Sequence, residues 1–133
     1  MTSIFDTPLY AYARHADQET KTPRRHPVVI IGAGPVGLAL AVDLAQKGVE
    51  TLVLDDNDKV SLGSRAICFS KRTLEIADRL GFGQTLVDKG VQWNLGKVFF
   101  NDRKVYEFDL QAEDGHRRPA FINLQQYYFE IAL

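Results

Sequence analysis

Residues 28–48 read VVIIGAGPVGLALAVDLAQKG. Four β-branched residues lead into three glycines within six positions, and a long apolar run with one acid, Asp43, follows. A membrane span, an ordinary core element and a phosphate-binding turn all compete for such a stretch. Gly32, Gly34, Pro35 and Gly37 interrupt the apolar run, and Asp43 would be costly to place in hydrocarbon. The part able to form a helix, from Pro35 to Lys47, is also shorter than the roughly 20 residues a bilayer requires. The membrane reading therefore fails.

The residues around the glycines predict a fold unit. VVII at 28–31 has the composition of a fully buried strand. A helix is predicted from Pro35 to Lys47. Proline suits its first turn, where the missing N–H has no partner in any case. Leu38, Ala41, Val42 and Ala45 recur at helical spacing, and Gly48 supplies the terminator. ETLVLDD at 50–56 reads as a second buried strand. Strand, turn, helix and strand in so short a span predict two parallel strands joined by a crossover helix.

Within this unit Gly32-Ala33-Gly34-Pro35-Val36-Gly37 fits G-x-G-x-x-G. The first glycine permits the tight turn, the second lets backbone approach a pyrophosphate, and the third lets helix and strand pack closely. The helix N-terminus then offers N–H groups and the positive end of its dipole to the phosphates. An acid at the end of the next strand, Asp55, stands roughly twenty residues on, where a carboxylate can hold an adenosine ribose. A 2′-phosphate would be repelled there, so NADP is disfavoured at this position. The motif does not choose between NAD and FAD, since both present an ADP half.

The rest of the chain bounds the possibilities. Its 133 residues suffice for one domain, and a net charge of −1 gives no electrostatic reason to expect nucleic acid or an anionic membrane. The single cysteine, Cys68, excludes an internal disulfide and fits a reducing cytoplasm. The first residues lack the basic and apolar regions of a signal peptide. Residues 1–27 read as an extended arm with little structure of its own, whose Phe5, Tyr10 and Tyr12 could lie across a neighbouring surface. Residues 56–69 read as a loop. A helix is predicted over 70–83 with Ser70 as N-cap and Gly81 as terminator, followed by a short helix ending at Gly90. A β-hairpin is predicted within 93–110, with Asn101-Asp102-Arg103 as its turn. A polar loop over 111–119 precedes a segment that starts extended at 120 and turns helical near Gln126. Cys68 reads as a small buried hydrophobe, and Trp93 as a core or interface residue. His15, His26 and His116 are scattered without ligand spacing, so no metal is inferred.

Beyond Asp55 the sequence departs from a simple NAD dehydrogenase, in which another buried strand would follow. The stretches HPVVIIGAGPVGLALAVDLAQKGVETLVLDD, GSRAICFSKRTLEIADRLGF and INLQQYYFEIAL together resemble the N-terminal part of the single-component flavin aromatic hydroxylases. These are FAD-dependent monooxygenases of the 4-hydroxybenzoate, phenol and 3-(3-hydroxyphenyl)propionate hydroxylase type. The resemblance runs from about His26 to Leu133. It implies that Gly32, Gly34 and Gly37, with Pro35 between them, lie under the FAD pyrophosphate and that Asp55 holds the adenosine ribose. It implies that Arg65, before Ala66, reaches the phosphates and ribityl chain, and that Gln126 contacts the same chain, with Gln125 as the alternative register. A guanidinium fork suits phosphate, and an amide can both donate to and accept from ribityl hydroxyls. On composition alone the lesser reading of Arg65 is a solvated loop arginine, and Gln126 is equally an ordinary residue at a helix start.

Family members are several times longer and carry two further motifs, an Asp-Gly and a Gly-Asp pair, that have no place here. The Asp114-Gly115 pair stands on the wrong side of Gln126. The fold expected is α/β: a Rossmann-like FAD-binding βαβ unit with an added β-hairpin, over 28–133, forming an incomplete domain that ends at Leu133 without a helix cap and has poor independent stability. The function this implies is the FAD-binding segment of a monooxygenase that hydroxylates a phenolic or aromatic substrate with NAD(P)H and O2, inactive as an isolated chain and containing no catalytic acid or base. The alternatives are an NAD-binding dehydrogenase domain and a non-catalytic nucleotide-binding module.

Overall fold

The computed structural model describes residues 8–63, 65–111 and 113–133, so Phe5 of the arm lies outside the described residues. The described residues fall into two compact units, one reaching to Gly63 and the other running from Arg65 to Ala132.

The first unit is the predicted βαβ element. Strand β1 (Val28–Ile31) pairs in parallel with β2 (Thr51–Leu54), Val28 opposite Thr51 and Ile31 opposite Leu54, with helix α1 (Pro35–Gln46) between them. Pro35 sits in the first turn, and Gly48 follows the helix at φ +71°, a left-handed conformation that glycine adopts without a steric cost. The crossover and parallel pairing agree with the sequence reading; the burial does not. Of the four β1 residues only Ile30 is buried, while Ile31 is 78% exposed, and no residue of α1 is buried. The expectation of two fully buried strands is corrected for a physical reason. A two-stranded sheet with one helix covers too little of either face, and parallel strands need cover on both.

The arm has more structure than expected. A 3-10 turn at Ala16–Gln18 is capped from both sides: His15 Nδ1 accepts from the Asp17 N–H, and Gln18 Oε1 accepts from the His15 N–H at 2.9 Å. The arm is tied to its own unit where the Tyr10 N–H donates to the Asp58 carbonyl (2.7 Å) and Arg24 pairs with Glu50 (3.2 Å). Tyr10 and Tyr12 are exposed.

The second unit has a true core. Its sheet holds β3 (Cys68–Ser70), β7 (Phe121–Asn123) and β4 (Val91–Trp93), all antiparallel with β7 central. Helices α2 (Lys71–Leu80), α3 (Gly83–Lys89) and α4 (Gln126–Ala132) pack with it, and the hairpin of β5 (Leu95–Phe100) and β6 (Arg103–Asp109) forms a separate two-stranded sheet. α2 buries the Leu74, Ala77 and Leu80 stripe and ends at Gly81 with φ +100°. Leu74, Leu86 and Ile122 are fully buried. Phe129 stacks on Phe69 at 4.8 Å and meets Phe82 edge-on at 5.5 Å, both favourable ring geometries. β3 lies where a loop was predicted, because three residues carry no periodicity and pair only with the distant β7. Cys68 is exposed rather than buried, and its Sγ lies 3.1 Å from Asn123 Oδ1.

One buried charge anchors this unit. The Arg118 side chain is only 6% exposed; it donates through Nε to Asp78 Oδ2 (2.7 Å), through Nη2 to Asp78 Oδ1, and through Nη1 to Gln84 Oε1 (3.0 Å). The hydrogen bond from Arg118 holds the Asp78 carboxyl below its ordinary value. Arg118→Ala leaves Asp78 with only the exposed Arg117 at 3.7 Å and is expected to weaken the unit by about 2 kcal/mol, read as lost hydrogen-exchange protection at Leu74 and Ile122. Because Asp78 is depressed in the folded state, its contribution is present above the ordinary carboxylate range and lost as pH falls below it. In the same experiment on the intact chain, β1, α1 and β2 amides are expected to exchange well before those of α2 and β7, since among the described residues of the first unit only Ile30 and Val60 are buried. Equal protection in both units would contradict this.

Candidate nucleotide-binding site

The glycine turn is built by a hydrogen bond, a left-handed torsion and a close approach of backbone. The Gly32 N–H donates to the Leu54 carbonyl (2.7 Å), extending the ladder one residue past β1. Gly32 then turns at φ +103°. A Cβ at Gly37 would stand 1.9 Å from the Gly32 carbonyl oxygen, so only glycine lets α1 start this close to β1.

Gly34 is different. It caps α1 at φ −77°, which any residue adopts, and a Cβ there would meet no protein atom within 4 Å. Nothing in the chain itself demands glycine at 34. The space beside it lies at the start of α1, whose first-turn N–H groups have no carbonyl four residues back. Donors, a positive dipole end and an uncluttered approach are what a diphosphate requires. The residues present therefore fit a dinucleotide.

Asp55 faces this turn. Its Oδ2 accepts from the Ala33 N–H (2.6 Å), and its Oδ1 accepts from the Asn57 N–H (2.8 Å) and Asn57 Nδ2 (3.1 Å). The Ala33 hydrogen bond, and then those from Asn57, hold the carboxyl below its ordinary value and keep it ionised. Asn57 was not singled out in the sequence; its position two residues after an aspartate, where it closes an Asx-type turn, is the signal that would have found it.

In the second unit the fold joins two residues 60 positions apart: the Ala66 N–H donates to Gln126 Oε1 (3.2 Å). Gln126 Nε2 donates in turn to the buried Glu130 (2.7 Å). Gln126 is half-buried at the start of α4, whereas Gln125, the alternative register, is exposed. Arg65 is exposed, and among the described residues no carboxylate pairs with it. Of the histidines, His116 stands in the polar loop, but His15 and His26 are not scattered. The 3-10 turn and the return into β1 bring both to Asp17.

A parallel βαβ unit with a glycine turn, an open helix N-terminus and an acid facing that turn defines a dinucleotide-binding α/β segment. The chain belongs to the FAD binding domain family, whose profile matches residues 25–131. It is 38% identical over 82 residues to 6-methylpretetramide 4-monooxygenase of Streptomyces rimosus, covering 62% of this chain and 15% of that protein. It is 36% identical over 93 residues to a flavin-dependent monooxygenase of Mycobacteroides abscessus, 70% of this chain and 20% of the other. Among solved structures, p-nitrophenol 4-monooxygenase from Pseudomonas putida superimposes with a TM-score of 0.71 at 27% identity, over 80% of this chain and 28% of that one. The chain thus spans a fifth or less of these two curated relatives. No helix among the described residues is long and apolar enough to cross a membrane.

The two glycines make separable predictions. Gly37→Ala is expected to disrupt the β1–α1 junction, seen as faster amide exchange at Ile30 and Leu38. Gly34→Ala is expected to leave that exchange unchanged, because its methyl enters open space.

Proposed function

We propose that this chain is the FAD-binding segment of a monooxygenase that hydroxylates an aromatic or phenolic substrate with NAD(P)H and O2. The observation that carries the nucleotide reading is Gly34, a glycine the protein does not need, at the mouth of a donor-lined turn. Family membership makes the nucleotide FAD rather than NAD. The reaction class rests on the relatives, whose names are those of monooxygenases.

In this reading the first-turn N–H groups of α1 hold the pyrophosphate, and Gly32, Gly34, Pro35 and Gly37 keep side chains out of its way. Asp55 Oδ2 has accepted one hydrogen bond and retains capacity for a ribose hydroxyl. Its ionised state opposes a 2′-phosphate. Arg65 supplies guanidinium donors to phosphate, and Gln126, oriented by Ala66 and Glu130, presents its amide to the ribityl chain. FAD, when bound, supplies the redox chemistry that links NAD(P)H oxidation to oxygen transfer. These 133 residues position the cofactor; the reading assigns them no catalytic acid or base and expects no turnover from them alone. A lone cysteine and a near-neutral charge support a cytoplasmic setting with no nucleic-acid partner.

The test is FAD titration of the chain, read as quenched flavin fluorescence and bound visible absorbance. Saturable binding is expected, with NAD not competing at comparable concentration. Asp55→Ala is expected to weaken it by about tenfold or more, the loss of a hydrogen bond to a charged group. Gly34→Ala is expected to weaken it while leaving the fold intact. Tight NAD binding with no flavin binding would overturn the reading.

A further inference from the structure

The cluster at the base of the arm is not used by the nucleotide site. Two imidazole nitrogens converge on one carboxylate oxygen: His26 Nε2 lies 2.7 Å and His15 Nδ1 3.4 Å from Asp17 Oδ2. The three candidate ligand atoms all lie within 4.8 Å of one another, the one such group among the described residues. We propose that His15, Asp17 and His26 form a binding site for a divalent transition metal of the Zn2+ class, which clips the arm's 3-10 turn to the residues entering β1.

The chemistry of the donors supports this. Two neutral imidazoles and a carboxylate suit Zn2+, which takes nitrogen and oxygen ligands at about 2.0–2.2 Å and tolerates an open fourth position. Tetrahedral ligands at that distance stand about 3.3 Å apart, within the range already set here. Closing the longest separation requires His15, 38% exposed, to give up its bond to the Asp17 N–H. His26 is fixed, its side chain 8% exposed.

The surroundings are arranged for ligation. The Arg24 N–H donates to the other carboxylate oxygen, Asp17 Oδ1 (3.2 Å), which orients Oδ2 inward as the hydrogen bonds around metal-bound carboxylates do. His15 Nδ1 accepts from the Asp17 N–H (3.2 Å), so a metal would have to take over the one lone pair that now caps the 3-10 turn. His26 Nε2 lies 2.7 Å from Asp17 Oδ2, and ligation through this nitrogen requires the tautomer that carries its proton on Nδ1. The Arg24 guanidinium, 4.0 Å from Oδ2, opposes a cation, but it is drawn toward Glu50 at 3.2 Å.

The experiment uses the whole 133-residue chain stripped with chelator, titrated with Zn2+ by calorimetry and with Co2+ by its visible d–d absorption. One-to-one binding is expected, with a Co2+ spectrum of low coordination number. Asp17→Asn and His15→Ala are each expected to weaken it at least about tenfold, and His26→Ala to abolish it. His116→Ala and Cys68→Ser are expected to leave it unchanged. Zn2+ is also expected to slow tryptic cleavage after Lys21 and Arg25 at least tenfold in the wild type and not in His15→Ala. His15 is exposed enough that its variant should keep the fold, checked by circular dichroism, so it decides the matter if His26→Ala misfolds. Absence of one-to-one binding, binding that survives both His15→Ala and Asp17→Asn, or binding lost with Cys68→Ser or His116→Ala would each overturn the site. None of these readouts depends on flavin.

Discussion

The close approach of α1 to β1 at Gly37 is the constraint on which the nucleotide site depends. The Gly32 carbonyl occupies the volume a Cβ at Gly37 would need. That contact aims the helix N-terminus out of the end of the parallel pair, and the Gly32–Leu54 hydrogen bond fixes where the pair ends. Asp55, the next residue, is thereby carried to the turn, and its bond to the Ala33 N–H locks the two strand ends together. One close contact thus sets the donors, the acid and the open space at Gly34.

The same unit is poorly covered for a parallel element. Val36, at the start of α1, is 83% exposed, and Ile31 and Leu54 beside the turn are exposed too. An element apolar on nearly all sides is ordinarily buried. The second unit behaves differently, since α2 buries an apolar stripe, α3 buries Leu86 and α4 buries Phe129. The sequence difference is visible: α1 has one charged residue, Asp43, whereas α2 alternates Lys71, Arg72, Glu75, Asp78 and Arg79 with Leu74, Ala77 and Leu80.

A cofactor-binding segment and a catalytic one make different demands on residues. Binding a diphosphate needs backbone donors and absent side chains, which is why the site's main residues are glycines. It needs one ionised carboxylate, and the Ala33 and Asn57 hydrogen bonds keep Asp55 in that state. In the proposed reading an amide must be oriented toward a polyol chain, and Gln126 is held by Ala66 on one side and Glu130 on the other. The proposed metal clip asks for a third kind of arrangement, nitrogen and oxygen donors brought to one point, and chain reversal supplies it.

Local pattern fixed much of this protein. The parallel βαβ unit, the roles of Gly32 and Gly37, α2 with its Gly81 terminator, the hairpin and the start of α4 near Gln126 follow from periodicity, backbone sterics and turn chemistry, which act over a few residues. What pairing across long separations creates was not legible. Strand β3 exists only because β7 lies beside it; Cys68 is exposed because that sheet leaves its Sγ on an open face; and the Arg118–Asp78–Gln84 cluster joins three separated segments. The composition of β1 is that of a buried strand, yet Val29 and Ile31 are exposed, because hydrophobicity states a preference while cover depends on neighbours that two strands and one helix do not supply. His15 and His26 looked unrelated because their spacing fits no local motif; a turn and a return of the backbone place both on Asp17, and such convergence is a property of three-dimensional folding alone.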